Sequence, residues 1–242
     1  MSHEINIVIP MAGAGSRFAV AGYDVPKPFI KINGRMMIQL ALDGVRYNNA
    51  RYTLIIQQSF LNDYPDQLRL IQEEHNVEFI TVAKLTQGAT CTVLAAHELI
   101  NNSTPLLICD CDNIINNDTF TKFLNDAVGS KFDGSLITFN SSDAKFSFAK
   151  TKNHFVVDIK EKEVISNNAI GGFYFISHGC DFIKSAINTI IYCEKTNNEF
   201  YISSVYDNLI KSGKQIVIYN VDNGEIDCVG TPEQLNTFIQ NT

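Results

Sequence analysis

INIVIPMAGAGSRF, residues 5–18, is a short apolar run that leads straight into a glycine-containing turn. Its β-branched residues predict a strand over 5–10, and similar runs follow at 52–57, 77–82 and 105–109. Between them, apolar residues recur with helical period over 35–47, 64–74 and 89–100. Continuous apolar strands separated by helices are typical of a parallel sheet that is covered on both faces.

The second half of the chain changes character, because strand patterns follow one another with few helices between them. These strands are predicted at 134–139, 146–150, 154–160, 169–176 and 215–219. Helices are predicted over 178–193 and 201–212, and a last helix begins at Pro232 with Thr231 as its N-cap. We therefore expect a single α/β domain over 1–242, a Rossmann-like three-layer α/β/α fold with a mostly parallel mixed central sheet.

The composition excludes several classes of protein. Apolar residues make up 45% of the 242 residues and charged residues 19%, which disfavours disorder. The net charge of −7 disfavours nucleic acid as a partner. Apolar stretches are too short for a membrane span, and the N-terminus is too polar for a signal peptide. Six cysteines without a C-x-x-C pair are expected to be mostly core residues of a reducing compartment, so we expect a cytoplasmic protein without a zinc site.

The turn after the first strand has the features of a phosphate-binding loop. Gly13 and Gly15 let the backbone turn sharply and approach a ligand closely, while Ser16 and Arg17 add a hydroxyl and a guanidinium. A dinucleotide-binding dehydrogenase is disfavoured, because Phe18 stands where its third glycine is needed and no acidic residue ends the second strand. The expected nucleotide-binding residues of this loop are Met11, Ala12, Gly13, Ala14, Gly15 and Ser16.

Two further groups add to this loop. Lys27 is held between Pro26 and Pro28, which restrict the backbone and allow the amine to reach a phosphate from the side. Asp110 and Asp112 follow the strand at 105–109, where a parallel sheet places its active residues. If the strand continues, the two carboxylates share one side and offer hard oxygen ligands for Mg²⁺.

Together these motifs make the chain resemble the sugar-phosphate nucleotidyltransferases, the superfamily of nucleotide-sugar pyrophosphorylases. The similarity lies in the order of several motifs along the chain: IVIPMAGAGSRF, PKPFIKINGRMMIQLAL, QGATCTVLAA (87–96), LLICDCDN (106–113), EKEVISNNAIGGFYF (161–175), NNEFYISSVYDNLI (197–210) and VGTPEQL (229–235). The resemblance implies a GT-A-like fold and Mg²⁺-dependent transfer of a nucleotidyl group to a phosphorylated acceptor. The products of such enzymes are nucleotide-activated sugars, which serve as precursors of capsular polysaccharides among other polymers.

The resemblance also implies roles for individual residues. It makes Arg17, Lys27 and Lys162 catalytic, and it places Gly88 and Gln87 near the nucleotide base. It assigns the metal to Asp112 and to Asp227, although Asp227 lies one residue before the usual place and Cys228 occupies that place. In a strand, one step changes the face on which a side chain lies. Acceptor-binding residues implied in this way are Asp112, Glu161, Gly172 and Glu199.

The substrates are predicted less sharply. Ala83 stands where many uridylyl and thymidylyl enzymes carry a glutamine that reads the base, so we expect CTP first and GTP second. The acceptor is expected to be a sugar phosphate or a polyol phosphate. A homodimer is one possible oligomeric state, because members of this fold often dimerise. Two rivals are a glycosyltransferase of related fold that uses Asp110-x-Asp112 and a non-catalytic nucleotide-binding subunit. The former lacks the glycine loop and the Lys-Pro motif, whereas metal-dependent turnover would exclude the latter.

Overall fold

A nine-stranded sheet forms the centre of the molecule in the computed structural model, which describes residues 5–241. All strands predicted from the sequence are present, with ends that differ by two residues or fewer. The described residues form the following strands: β1 (Ile5–Pro10), β2 (Lys31–Ile32), β3 (Arg35–Met36), β4 (Ala50–Gln57), β5 (Val77–Val82), β6 (Leu106–Cys109), β7 (Asn113–Ile115), β8 (Gly134–Asn140), β9 (Ser147–Lys152), β10 (Phe155–Glu161), β11 (Asn168–Ile176), β12 (Ile216–Asn220) and β13 (Ile226–Cys228).

The sheet has the strand order β5-β4-β1-β6-β11-β8-β12-β10-β9. Strands β5, β4, β1 and β6 are parallel, as predicted. In the other half only β8 and β12 form a parallel pair, so four of the eight adjacent pairs are parallel and the sheet is evenly mixed. Strand β9 also pairs with β11, which closes the last five strands into a ring. The α/β class is confirmed, but the sheet is less parallel than predicted.

Helices cover both faces of this sheet. They are α1 (Ser16–Val20), α2 (Met37–Gly44), α3 (Phe60–Asp63), α4 (Pro65–His75), α5 (Ala89–Val93), α6 (His97–Ile100), α7 (Asn117–Gly129), α8 (Gly179–Ile191), α9 (Ile202–Lys211) and α10 (Pro232–Asn241). The side chains of β1 show why two layers are needed, because Ile5, Ile7 and Ile9 pack into one core and Val8 packs into the other. None of the helices in the described part of the chain is long and apolar enough to cross a membrane.

Several helices differ from their predictions. The helix predicted over 35–47 begins only at Met37, because residues 35–36 pair with residues 31–32 in a hairpin. The helix predicted over 89–100 is interrupted by a 3₁₀ turn at Leu94–Ala96. Helix α7 was not predicted. The predicted cap of α10 is present, since the Gln234 amide donates to the Thr231 hydroxyl at 3.2 Å.

The cysteines are less buried than expected. All six are free thiols, but only Cys109 and Cys111 are buried, and Cys193 is exposed. The expectation that most of them are core residues was therefore wrong.

Candidate active site

A cleft of about 420 Å³ opens beyond the carboxyl ends of β1 and β6. This is the edge at which parallel sheets bind their ligands. Predicted site residues that line the cleft are Gly13, Ala14, Gly15, Ser16, Arg17, Lys27, Gly88, Asp112, Glu161, Lys162 and Glu199. Met11, Ala12, Gln87, Gly172 and Asp227 do not line it.

The glycine loop occupies one wall of the cleft. Gly15 has a φ of 58°, in the left-handed region that favours glycine, and its carbonyl accepts hydrogen bonds from the amides of Phe18 and Ala19 in α1. The Gln57 side-chain amide holds the loop from below, since it donates to the carbonyls of Ala12 at 3.2 Å and Gly13 at 3.3 Å. Met11 is buried and its amide bonds to the Ile55 carbonyl. Met11 and Ala12 therefore fix the loop instead of facing the cleft.

Lys27 joins this loop to the acidic residues. A Cβ placed on Gly15 would lie 3.3 Å from the Lys27 Cβ, so the loop and the base of the lysine side chain are packed together. The Lys27 Nζ donates to the Asp112 carboxylate at 2.7 Å. Burial is the largest single cause and lowers the pKa of Lys27, but the Asp112 carboxylate together with Cys111 and Asp110 outweighs it, so the pKa lies above its usual value. The amine is therefore a fixed positive charge in the cleft.

The two aspartates reach the cleft from a turn and not from a continuing strand. Strand β6 ends at Cys109, and the next strand, β7, begins at Asn113. Burial raises the pKa of Asp110 well above its usual value, the nearby Asp112 carboxylate adds to this effect, and Lys27 opposes it. Both side chains line the cleft, so they form a paired acidic site beside one fixed ammonium.

Two glycines make room for these carboxylates. Gly172 lies at a bulge in β11 with a φ of 79°, and a Cβ there would lie 2.5 Å from the Asp110 Oδ2 and would clash with the Asn113 side chain. Its carbonyl accepts a hydrogen bond from the Asp110 amide at 3.0 Å. A Cβ on Gly230 would likewise clash with the Asp112 carboxylate. The structure thus places Gly172 behind the acidic pair, although it was predicted to bind the acceptor.

The C-terminal aspartate is not part of the cleft. Strand β13 pairs with β7 so that Cys228 lies opposite Asn113 and Asp227 opposite Ile114. Cys228 lines the cleft, whereas Asp227 is exposed and lines a neighbouring hollow of about 250 Å³. Within residues 5–241 no group of three or more His, Cys, Asp or Glu side chains is placed to hold a metal ion. The structure therefore does not bring Asp227 to Asp112, because its side chain lies on the other face of the strand.

The opposite wall of the cleft carries the residues predicted to meet the acceptor. The Glu161 carboxylate accepts hydrogen bonds from Ser147 and from Ser203, the latter at 2.7 Å. The Lys162 Nζ donates to the Tyr201 hydroxyl at 2.6 Å. Glu199 is reached through a tight turn in which Asn197 and Asn198 both have positive φ angles. Carboxylates and an ammonium therefore face the aspartate pair across the cleft.

The turn at Gly88 holds its neighbour Gln87 away from the cleft, although Gln87 was predicted to lie near the nucleotide base. Gly88 has a φ of 119°, and a Cβ there would lie 2.6 Å from the backbone of Phe200. The Gln87 carbonyl accepts a hydrogen bond from the Phe200 amide at 2.8 Å, and its side chain accepts one from Lys195 at 2.8 Å. The Gln87 side chain is therefore engaged outside the cleft, and it is not placed to read a base.

The sequence did not single out several residues of the cleft. They come from segments that are distant along the chain, and no role was predicted for any of them, although three lie within quoted motifs: Thr86, Thr92, Lys145, Ser147, Tyr201 and Gln234. Tyr174 also lines the cleft, whereas its neighbour Tyr206 is fully buried outside it.

The family model described as "Nucleotidyl transferase" matches residues 7–235, nearly the whole chain. The chain belongs to this family. It is therefore a nucleotidyltransferase, as the resemblance implied. One curated relative, the 2-C-methyl-D-erythritol 4-phosphate cytidylyltransferase of Corynebacterium jeikeium (strain K411), is 27% identical over 78 residues, which cover 32% of this chain and only 26% of that protein.

Solved structures share the fold of this nucleotidyltransferase from end to end. The nucleoside-diphosphate-sugar pyrophosphorylase from Vibrio cholerae RC9 is 22% identical, with a TM-score of 0.83 over 97% of this chain and 99% of that one. The inositol-1-phosphate CTP transferase from T. maritima is 16% identical, with a TM-score of 0.77 over 99% and 95%. A UDP-glucose pyrophosphorylase complexed with UDP-glucose is 18% identical, with a TM-score of 0.76 over 99% and 100%.

Proposed function

We propose that this nucleotidyltransferase joins a nucleoside triphosphate, CTP in the first place, to a sugar phosphate or a polyol phosphate and releases pyrophosphate. The observation that carries this proposal is the contact of 2.7 Å between the Lys27 amine and the Asp112 carboxylate, formed beside the glycine loop. An oxygen of the acceptor phosphate forms a new bond to the α-phosphorus. The bond from that phosphorus to the oxygen bridging to the β-phosphate breaks, and pyrophosphate takes the electron pair.

The residues of the glycine loop bind the triphosphate in this proposal. Amides of the turn and the Arg17 guanidinium hold the β- and γ-phosphates, which become the leaving group. The Lys27 ammonium stabilises the charge that develops at the α-phosphate. Because an acidic protein has no general positive field to offer, these few placed donors do most of the binding.

The acidic pair fits Mg²⁺. This ion is usually held by one or two carboxylates together with substrate phosphates, and Asp110 and Asp112 offer two carboxylates in the cleft. We assign the ion to Asp112 with Asp110 as its partner and no longer to Asp227. When bound, Mg²⁺ neutralises part of the triphosphate charge.

The acceptor wall supplies the second set of contacts. Lys162 attracts and orients the acceptor phosphate, and the carboxylates of Glu161 and Glu199 accept hydrogen bonds from acceptor hydroxyls. A phosphate dianion is already a nucleophile, so this reaction needs no strong general base. Catalysis then consists of positioning two anions and stabilising charge.

The choice of CTP depends on the absence of a glutamine that would read uracil or thymine. Ala83 has no side chain that reads a base, and Gln87 is engaged by Lys195. The polar groups left there are the Thr86 and Thr92 hydroxyls, 2.6 Å apart, and the backbone at Gly88. Two of the relatives named above, the cytidylyltransferase and the CTP transferase, support the same choice, whereas the UDP-glucose enzyme supports UTP.

A screen of substrates tests this function. ATP, CTP, GTP and UTP are each incubated with Mg²⁺ and one of a panel of sugar phosphates and polyol phosphates, and the release of pyrophosphate is measured. We expect pyrophosphate only when both substrates are present, and CTP to give the highest kcat/KM. An Asp112→Asn variant is the control for contaminating activity. Release of a nucleoside diphosphate from nucleotide sugars would instead support a glycosyltransferase, and no turnover with any pair would support a regulatory subunit.

A further inference from the structure

Glu199, Phe200 and Tyr201 form a short extended segment that connects the two walls of the cleft. Glu199 and Tyr201 line the cleft, whereas Phe200 is only 3% exposed. The backbone of Phe200 is fixed by the nucleotide side, because its amide donates to the Gln87 carbonyl at 2.8 Å and its carbonyl accepts from the Thr90 amide at 3.1 Å. The side chains on either side of Phe200 are therefore held in place by the Gly88 turn.

From this fixed backbone position, the Tyr201 side chain contacts the amine of Lys162. Its hydroxyl accepts a hydrogen bond from the Lys162 Nζ at 2.6 Å, and the same amine lies 4.6 Å from the centre of the Tyr201 ring. The backbone of Lys162 is also constrained, since its φ is 58° and its amide donates to the Phe146 carbonyl at 3.1 Å. A lysine side chain has four rotatable bonds, so contacts at its tip decide where the charge is found.

We infer that Tyr201 is a positioning residue, which places the Lys162 ammonium where the acceptor phosphate enters the cleft. This inference deepens the proposed function and depends on it for the identity of the acceptor. Burial and the neighbouring Glu199 carboxylate, which is also a hydrogen-bond partner of the phenol, raise the pKa of Tyr201 above its usual value, so the hydroxyl keeps its proton. Tyr201 stands within the motif at 197–210, but the sequence assigned it no role.

A Tyr201→Phe substitution tests the inference, because it removes the hydroxyl and keeps the ring. We expect the KM for the acceptor to rise about tenfold, the cost of one hydrogen bond to a charged group. The KM for the triphosphate and the melting temperature should stay close to wild type. Tyr206→Phe is the matched control, since the buried Tyr206 hydroxyl has no hydrogen-bond partner among residues 5–241. An unchanged acceptor KM in Tyr201→Phe, or an equal rise in the KM of both substrates, would overturn the inference.

A double-mutant cycle separates positioning from direct contact with the acceptor. In a Lys162→Met background, Tyr201→Phe should have no further effect on the acceptor, because its effect passes through the lysine. A second tenfold loss in that background would mean that Tyr201 acts on the acceptor without the lysine, either directly or through its hydrogen bond with Glu199, which would also overturn the inference.

A binding measurement makes the test independent of turnover. Inorganic phosphate is titrated into the wild type and each variant, and its binding is followed by broadening of the ³¹P resonance. The broadening that is lost in Lys162→Met reports binding at the Lys162 site. We expect Tyr201→Phe to lose most of this Lys162-dependent broadening and Tyr206→Phe to lose none of it. Unchanged broadening in Tyr201→Phe would contradict the inference. If the wild type released no pyrophosphate with any substrate pair, the proposed function would fail, and this titration would still decide the role of Tyr201.

Discussion

At the scale of single residues, Lys27 offers the most direct test of the cleft. Its ammonium lies 2.7 Å from the Asp112 carboxylate and belongs to the wall that holds the triphosphate. Replacing it in Lys27→Met should lower kcat/KM by about 10²–10³-fold, the usual cost of losing a donor that stabilises transition-state charge. Pyrophosphate release measures the loss, and far-UV circular dichroism checks that the fold survives. Lys31→Met, which removes an exposed ammonium nearby, is the control and should be near wild type.

Gly172 supports the acidic pair through the space that it leaves. In Gly172→Ala the new methyl group would clash with the side chains of Asp110 and Asn113, and displacement of these side chains would remove the clash. We expect at least a tenfold loss of kcat/KM together with a loss of stability of about 1–3 kcal/mol from the strained backbone. Gly213→Ala is the matched control, because Gly213 also has a positive φ, 91°, but has open space around it. Equal activities of the two variants would contradict a role in placing Asp110.

The residues that the sequence could predict are those that follow a strand or stand in a motif. Gly15, Lys27 and Asp112 were expected to lie close together, since the carboxyl ends of parallel strands lie at one edge of the sheet. Tyr201 could not be found in this way, because its position depends on hydrogen bonds between Phe200 and a turn more than a hundred residues earlier. Asp227 lies outside the cleft for a local reason, as the register of β13 brings Cys228 and not Asp227 to the cleft.

At the scale of elements, hydrophobic pattern was a good guide to strands and a weaker one to helices. The strands are apolar and β-branched, so burial on both faces marks them clearly. Helix α7 was missed because its N-cap and first turn read Asn116-Asn117-Asp118-Thr119, residues that also favour turns. In the structure the Asn116 side chain accepts hydrogen bonds from the amides of Asp118 and Thr119, so these polar residues start a helix.

The cap of α7 can be tested on its own. Asn116→Ala removes the acceptor for two helical amides and should lower the free energy of unfolding by about 1 kcal/mol. Asn116→Asp keeps an acceptor at the cap and should cost much less. Urea denaturation followed by circular dichroism measures both values. A loss in Asn116→Asp as large as in Asn116→Ala would show that the amide nitrogen, and not the cap, is what stabilises this region.

At the scale of the whole molecule, the cleft lies where two kinds of sheet meet. The parallel half ends in β6, which carries the acidic pair, and the closed half begins with the neighbouring strand β11. The parallel half was predictable, since each strand alternates with a helix along the chain. The closure of the other half was not, because the pairing of β9 with β11 depends on packing and not on any local pattern. This architecture places the glycine loop on one wall and Glu161, Lys162 and Tyr201 on the other.

The last strand returns to this junction, and its register makes a prediction about the metal. Both Asp112→Asn and Asp227→Asn remove one carboxylate beside the small β7–β13 sheet, but only Asp112 lines the cleft. We expect Asp112→Asn to lose at least about 100-fold in kcat/KM and Asp227→Asn to stay near wild type. Chelation of divalent cations should abolish wild-type pyrophosphate release, and added Mg²⁺ should restore it. If Asp227→Asn lost as much activity as Asp112→Asn, β13 would have to shift by one residue in the working enzyme, which would bring Asp227 into the cleft in place of Cys228.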